Sequence, residues 1–265
     1  VAVLPAPCYI VSDAHLGPDT AASERALLAF LEHVGSEKGS LVINGDLFEF
    51  WFEWRSVIPR TGFRVLASLA QLVQGGLPVV WIAGNHDCWG GSVLSQDVGV
   101  DYRTGAWEGV LAGWSARVEH GDGLRGREDR GYRLLRRIIR NRWAIAGFRL
   151  IPADWATRLA LGSASTSRSY AARDGGAALA TVARKILLEH PDLHLVVLGH
   201  SHVAALERVS GGKVYANPGA WLEGYTYLCV REDRIELRKW NVTSPVATLA
   251  KPVGHGTPSG TASPP

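Results

Sequence analysis

Apolar positions along the chain fall into two rhythms. Short continuous runs bounded by Gly or polar residues recur at "CYIVSD", "SLVINGD", "LPVVWIAGNHD" and "LHLVVLGHSH". Between the early ones, apolar residues return at helical spacing, over Ser23 to Val34, where Leu27, Leu28 and Leu31 share a face, and over Phe63 to Val73. Continuous apolar strands alternating with amphipathic helices predict an α/β fold whose central sheet is covered on both faces. "KVYANPGAW", "TYLCVRED" and "RIELRKWNV" read as further strands.

The rhythm breaks between about Leu124 and Ala183, where helical patterns, arginines and the polar stretch "GSASTSRSYAARDGG" predict an inserted helical cap. The expected organisation is a core over residues 8–123 and 184–243, a cap over 124–183, and a disordered Pro/Gly/Ser/Thr-rich tail over 244–265.

With 265 residues, 46% of them hydrophobic, the chain can bury a sizeable core. No run reaches the roughly 20 apolar residues of a spanning helix, and the first residues lack the basic region of a signal peptide, which sets the expectation of an intracellular protein. Cys8, Cys88 and Cys229 are too far apart for a zinc-finger spacing and odd in number for a disulfide framework. The net charge of +3 hides an asymmetry, because nine arginines lie between Arg125 and Arg149 against Glu128 and Asp129. A surface that meets an anion is implied.

Each strand run ends in polar groups able to bind metal: Asp13 and His15, then Asp46, then Asn85, His86 and Asp87, then His200 and His202. "VEHGDG" adds His120 and Asp122. In an open α/β sheet, ligands bind beyond the carboxyl ends of strands, so these groups are expected to converge. Alone, an Asp-x-His is an ordinary turn and a His-Gly-Asp carries no information. Their joint occurrence, in order and each at a strand end, carries the reading. Oxygen and nitrogen donors without thiolates suit two divalent cations sharing one carboxylate.

The order "DAH" at 13, "GD" at 45, "GNHD" at 84, "HGD" at 120 and "GHSH" at 199 resembles the calcineurin-like metallophosphoesterase superfamily. The resemblance covers about Cys8 to Trp240 and implies a four-layer β-sandwich flanked by helices. By motif it implies one metal on Asp13, His15, Asp46 and His202, and a second on Asp46, Asn85, His120 and His200. Manganese is the expected metal, with iron or zinc as alternatives. Two such ions clamp the attacking and leaving oxygens of an in-line displacement at phosphorus. His86 is expected at the phosphoryl group as electrophile or general acid, positioned by Asp87.

"LVINGDLFEFWFEW", residues 41–54, places five aromatic residues directly after Asp46. All five, Phe48 to Trp54, are expected to form an apolar ledge at the rim of the site, with Phe48 and Trp51 contacting the substrate; packing beneath the insertion is the alternative. Leu134, Leu135, Ile138, Ile139 and Trp143 recur at helical spacing among arginines, a pattern suited to an anionic membrane surface or a phosphorylated lipid. Together with "GDLFEFW", "DRGYRLLRRIIRNRW" and "SRSYAARDG", this resembles a particular branch, the UDP-2,3-diacylglucosamine pyrophosphatases of the lipid A pathway. That resemblance implies a manganese-dependent hydrolase, peripheral on the inner face of the cytoplasmic membrane, that splits a nucleotide-linked glycolipid into UMP and 2,3-diacylglucosamine 1-phosphate. It makes Arg168, Ser169 and Arg173 contacts for the glucosamine phosphate and puts Asn85 near the attacked phosphorus.

One departure from the branch is "GNHD" where "GNRD" is usual, so His86 replaces an arginine; another is "NPGAW" at 217 in place of a shorter Gly-x-Trp. A phosphate leaves without a proton, whereas an alcohol benefits from an acid such as His86. A metallophosphodiesterase or phosphatase for another nucleotide or lipid ester is therefore the alternative. A non-catalytic scaffold would be expected to have lost ligands, and none is missing. Nucleic acid is not an expected partner, because the cap's basic stripe is also apolar.

Overall fold

The computed structural model describes residues 1–126, 129–171 and 174–252, with the side chains of 163–171 left out of the description. Two sheets pack face to face. The first contains, in spatial order, β13 (Ala247–Ala250), β12 (Arg234–Lys239), β11 (Thr226–Val230), β2 (Cys8–Val11), β3 (Ser40–Asn44), β4 (Val79–Ile82) and β5 (Asp101–Arg103). The second runs β1 (Ala2–Leu4), β6 (Trp107–Leu111), β7 (Trp114–Glu119), β8 (Leu195–Leu198), β10 (Val214–Asn217) and β9 (Ala205–Arg208). Both are mixed: β2 to β5 pair in parallel, as do β7 with β8 and β8 with β10, while β11 to β13 and β9 are antiparallel.

The continuous apolar strands of the sequence follow from burial on both faces. Side chains alternate across a strand. Tyr9, Val11, Leu41, Ile43, Val79 and Trp81 face outward onto α1 (Ala21–Glu37) and α2 (Phe63–Gln74), which contribute Leu27, Phe30, Leu31, Val34, Val65 and Leu69 to the same core. Cys8, Ile10, Val42, Val80 and Ile82 face inward, against Trp107, Trp114, Ala116, Val118, Leu195 and Val197 of the opposite sheet. Behind that sheet lies α6 (Ala177–Glu189), whose Leu179, Ala180, Ala183 and Leu187 pack on Val196, Leu198 and Tyr215. The result is helix, sheet, sheet, helix: the expected four-layer α/β sandwich. Each fully buried aliphatic or aromatic side chain contributes about 1.5–3 kcal/mol.

Between β7 and α6 the chain forms α3 (Arg130–Ile139), α4 (Arg142–Phe148) and α5 (Ala153–Ala171). Because α6 already packs on the sandwich from Leu179, the core resumes a few residues before position 184, where sequence placed the boundary. The tail is corrected too: Ala247–Ala250 pair antiparallel with Arg234–Leu237. Pro245 and Pro252 bracket a short alternating stretch, and the edge of β12 offers it unpaired backbone groups. Residues 253–265 lie outside the described residues.

Candidate metal centre

The carboxyl ends of β2, β3, β4, β7 and β8 open on one edge of the sandwich, and the predicted ligands sit one to four residues beyond them. Asp13, His15 and His202 form one cluster of potential ligand atoms; Asp46, His120 and His200 form another. His15 Nε2 lies 3.3 Å from His202 Nε2, 3.8 Å from Asp46 Oδ2 and 3.9 Å from Asp13 Oδ1. His120 Nε2 lies 3.3 Å from Asp46 Oδ2. The Asp46 carboxylate thus faces both clusters.

Local backbone geometry makes the convergence. Asp13, His15, Asp46, His200 and His202 all have positive φ, between 43° and 63°. A non-glycine residue there costs on the order of 1 kcal/mol or more, strain that native structures keep at functional sites. Close approach does the rest: a methyl on Gly84 would overlap the Asp46 carboxylate, and one on Gly45 the His120 ring.

The donors fit cations. Asp13 Oδ1, Asn85 Oδ1 and His120 Nε2 are buried without a hydrogen-bond partner, an arrangement that costs energy unless an ion satisfies it. The outer nitrogens are held: His120 Nδ1 donates to the Asn44 carbonyl at 2.8 Å, and His202 Nδ1 meets Glu223 Oε1 at 2.8 Å. Such outer contacts fix the tautomer and aim the other nitrogen inward.

The electrostatics call for positive charge. Burial raises the Asp46 carboxyl, but the charges of His120, His86 and His15 overcome it and hold it well below the usual carboxylate range. Asp13 is likewise drawn down to about 2, burial being outweighed by His120 and His202. Burial works against protonating His120, yet Asp46 and Asp13 raise it well above an ordinary histidine. His202 rises to about 9 against its burial, through Asp13 and Glu223. Burial and the neighbouring His120 push His200 down to about 4, leaving it neutral, the form that ligates metal. The clustered carboxylates thus favour positive charge at this place, which divalent cations would supply.

His86 sits beside the first cluster, its ring 4.8 Å from that of His15 and nearly perpendicular. Its backbone N–H donates to Asp46 Oδ1 at 2.9 Å, and its Nδ1 donates to the Glu49 carbonyl at 2.8 Å. Asp87 does not position it. The Asp87 carboxylate is turned away and accepts from the N–H groups of Leu47 (2.9 Å) and Gly84 (2.7 Å) and from the Trp81 indole (3.2 Å). It pins the Asp46 turn to the Gly84 turn. Burial and the nearby Asp46 charge push its carboxyl up to about 6.

Phe48 and Trp51 also correct the sequence reading. Both are fully buried, stacked 5.0 Å apart, and belong to the core under α1 and α2. Phe50 and Phe52 instead line a pocket of about 290 Å³ with Trp89, Ile138, Ile139, Ile145, Phe148 and Leu159, from α3 to α5. The rim aromatics are therefore residues 50 and 52, and the cap helices form their far wall. The Trp89 indole donates to the Ile139 carbonyl at 2.8 Å, tying the end of α3 to the loop that carries Asn85 and His86. The side chains of Arg168 and Ser169, and Arg173 altogether, lie outside the described residues.

Such a ligand constellation at the strand ends of a two-sheet sandwich defines a metallophosphoesterase. A sequence model of the calcineurin-like phosphoesterases matches residues 6–204, and the chain belongs to that family. It is a metal-dependent phosphoester hydrolase. Among similar proteins is the UDP-2,3-diacylglucosamine hydrolase of Porphyromonas gingivalis, 28% identical over 240 residues, covering 83% of this chain and 92% of that one. That of Pseudomonas fluorescens is 26% identical over 245 residues, covering 91% and 98%. Among solved structures, Yfce, a phosphoesterase from E. coli, aligns over 92% of this chain and 99% of its own with 17% identity and a TM-score of 0.49.

Proposed function

We propose that the chain hydrolyses the pyrophosphate of UDP-2,3-diacylglucosamine, releasing UMP and 2,3-diacylglucosamine 1-phosphate, at a centre of two divalent cations. The observation that carries this reading is the continuity of metal centre and apolar pocket. Phe50 and Phe52 line the pocket four and six residues after Asp46, and Trp89 three residues after His86. An amphiphile with its phosphates at the strand ends and an acyl chain under α3 to α5 matches that layout. The names of the similar proteins support the same substrate.

Asp13, His15, Asp46 and His202 would hold one cation, and Asp46, Asn85, His120 and His200 the other, with manganese the expected metal. When bound, the pair supplies charge for the attacking and departing oxygens of an in-line displacement. His86, whose Nδ1 proton is committed to the Glu49 carbonyl, has Nε2 left for the phosphoryl oxygens. The helices α3 to α5 act as a cap that walls the acyl pocket, and Arg168, Ser169 and Arg173 serve the glucosamine phosphate.

Leu134, Leu135, Ile138, Trp143 and Leu150 stand exposed beside the exposed arginines 137, 142 and 149. That face supports attachment to an anionic membrane at the inner side of the cytoplasmic membrane. Among the described residues no helix is long and apolar enough to cross one.

A second reading, an ester with an alcohol leaving group, is favoured by His86, since a proton on Nε2 helps an alkoxide more than a phosphate. Release of UMP from UDP-2,3-diacylglucosamine by manganese-loaded protein tests the first. Absence of UMP together with turnover of a simple phosphodiester would replace it with the second.

A further inference from the structure

Glu49 is outside every ligand set the motifs imply, yet it is buried, with 6% of its surface exposed. A carboxylate in such a place needs a partner to offset its lost hydration. Its Oε2 lies 3.2 Å from His15 Nδ1, the nearest approach of a carboxylate to that nitrogen's side of the ring, though off the line of the ring N–H. His15 points its other nitrogen, Nε2, at Asp13, Asp46 and His202. An imidazole that offers a lone pair on Nε2 carries its proton on Nδ1, and that proton requires an acceptor. His120 and His202 meet the same requirement with the Asn44 carbonyl and Glu223.

The main chain of Glu49 is equally committed. Its N–H donates to the Leu16 carbonyl at 3.0 Å, which fixes it beside the His15 turn. Its carbonyl accepts from His86 Nδ1, and a carbonyl can only accept, so His86 is protonated there. One residue therefore touches both edge-to-face rings, His15 through its side chain and His86 through its backbone.

We propose that Glu49 is a positioning residue of the metal centre, whose carboxylate holds His15 in the tautomer and orientation that present Nε2 to the cation shared with Asp13, Asp46 and His202. The proposal rests on the two-cation reading above. His15, Glu49 and His86 are also close enough to hold an ion of their own.

The test is metal uptake by chelator-stripped protein, read by calorimetry and elemental analysis, for wild type and for Glu49→Gln, Glu49→Ala and Glu49→Asp, with nitrogen NMR of the zinc-loaded His15 ring. Wild type is expected to take up two ions. Glu49→Ala is expected to lose about 10–100-fold in affinity for one of them, to keep the other, and to regain phosphodiesterase activity in excess metal. Glu49→Gln, whose amide oxygen still accepts, is expected to stay within about threefold of wild type, with Nδ1 of His15 protonated in both. If Glu49→Ala does not fold, Glu49→Asp, which keeps the charge and withdraws the oxygen by one methylene, takes its place with the same expected loss. Two ions bound at wild-type affinity by the folded Ala or Asp variant would overturn the proposal and leave the two-cation reading standing. A third ion in wild type that is lost in these variants would also overturn it. A wild-type protein that binds no metal would sink both readings.

Discussion

The Nε2 atoms of His15 and His202 face each other at 3.3 Å, with Asp13 Oδ1 3.4 Å from the second. Two imidazole lone pairs aimed at one point repel unless a cation or a proton stands between them. Across the site, Asp46 faces both this pair and His120. Asp46→Ala is therefore expected to abolish binding of both ions and to lower kcat/KM by at least about 1000-fold, roughly 4 kcal/mol of transition-state stabilisation. Elemental analysis beside phosphodiesterase assays checks it; a variant retaining two ions would refute the shared-ligand arrangement.

His86 is expected to discriminate between leaving groups. His86→Asn, which keeps an N–H near the Glu49 carbonyl, is expected to slow hydrolysis of an alkyl phosphodiester by about 100-fold or more. On a pyrophosphate substrate the loss is expected to be under about tenfold, and His86→Arg is expected to restore it. Parallel kcat/KM values for the two substrate types give the answer.

Filling the pocket between Phe50, Phe52, Trp89 and the cap separates binding from chemistry. Ile145→Trp lies on the pocket's cap side and is expected to raise KM for a long-chain diacyl substrate about tenfold or more. Turnover of bis-p-nitrophenyl phosphate is expected to stay unchanged.

Charge reversal must spare the arginines that hold the cap down. Arg136 and Arg140 reach Asp122 Oδ2 at 3.5 and 3.7 Å, so they belong to the cap's attachment. Arg137 and Arg142 are exposed. Reversing both to Glu is expected to weaken sedimentation with anionic liposomes by about tenfold or more, at roughly 1 kcal/mol for each cation lost. Thermal stability and soluble-substrate activity are expected to hold.

Asp174 gives the return from the cap a pH dependence. Its carboxylate accepts from the N–H groups of Gly176 (3.0 Å) and Ala178 (2.8 Å) at the start of α6. Slight burial raises its pKa, but these amides and Arg125 outweigh it and lower the value. A depressed folded-state pKa means that the stabilisation is present above the unfolded value of about 3.9 and is lost as pH falls through the lower, folded value. Asp174→Ala is expected to cost about 1 kcal/mol at pH 7, with the difference from wild type fading toward pH 3 in urea unfolding.

The convergence of Asp13, His15, Asp46, Asn85, His200 and His202 was legible because each follows a strand buried on both faces, and parallel strands deliver their ends to one edge; His120 follows the alternating β7 and was placed by its motif alone. Asp13, Asp46 and His200 could be placed together without any knowledge of the sheet order. Roles that depend on side-chain direction were not legible. In "LFEFWFEW" five of eight residues are aromatic, three of them consecutive, so periodicity does not say that Phe48 and Trp51 turn into the core while Phe50 and Phe52 face the pocket. Asp87 adjoins His86, but successive side chains in that tight loop diverge, and its carboxylate goes to backbone amides. Strand β13 was hidden by a composition that otherwise reads as tail; its pairing depends on β12 being there to receive it. Glu49 carried one available signal, an acid three residues after a candidate bridging ligand.

The pocket floor and the metal loops are the same few peptide units: Asp46 to Phe52 on one side, Asn85 to Trp89 on the other, bridged at Phe52 and Trp89. Anyone redesigning this protein for a shorter or bulkier chain has unequal freedom on the two walls. Substitutions at Ile138, Ile145 or Leu159 alter the cavity through elements that carry no ligand, whereas each change at Phe50, Phe52 or Trp89 also shifts the backbone that aims Asp46 and His86. On the proposed lipid substrate, a library confined to Ile138, Ile145 and Leu159 would vary the chain accepted while leaving the candidate metal ligands in place.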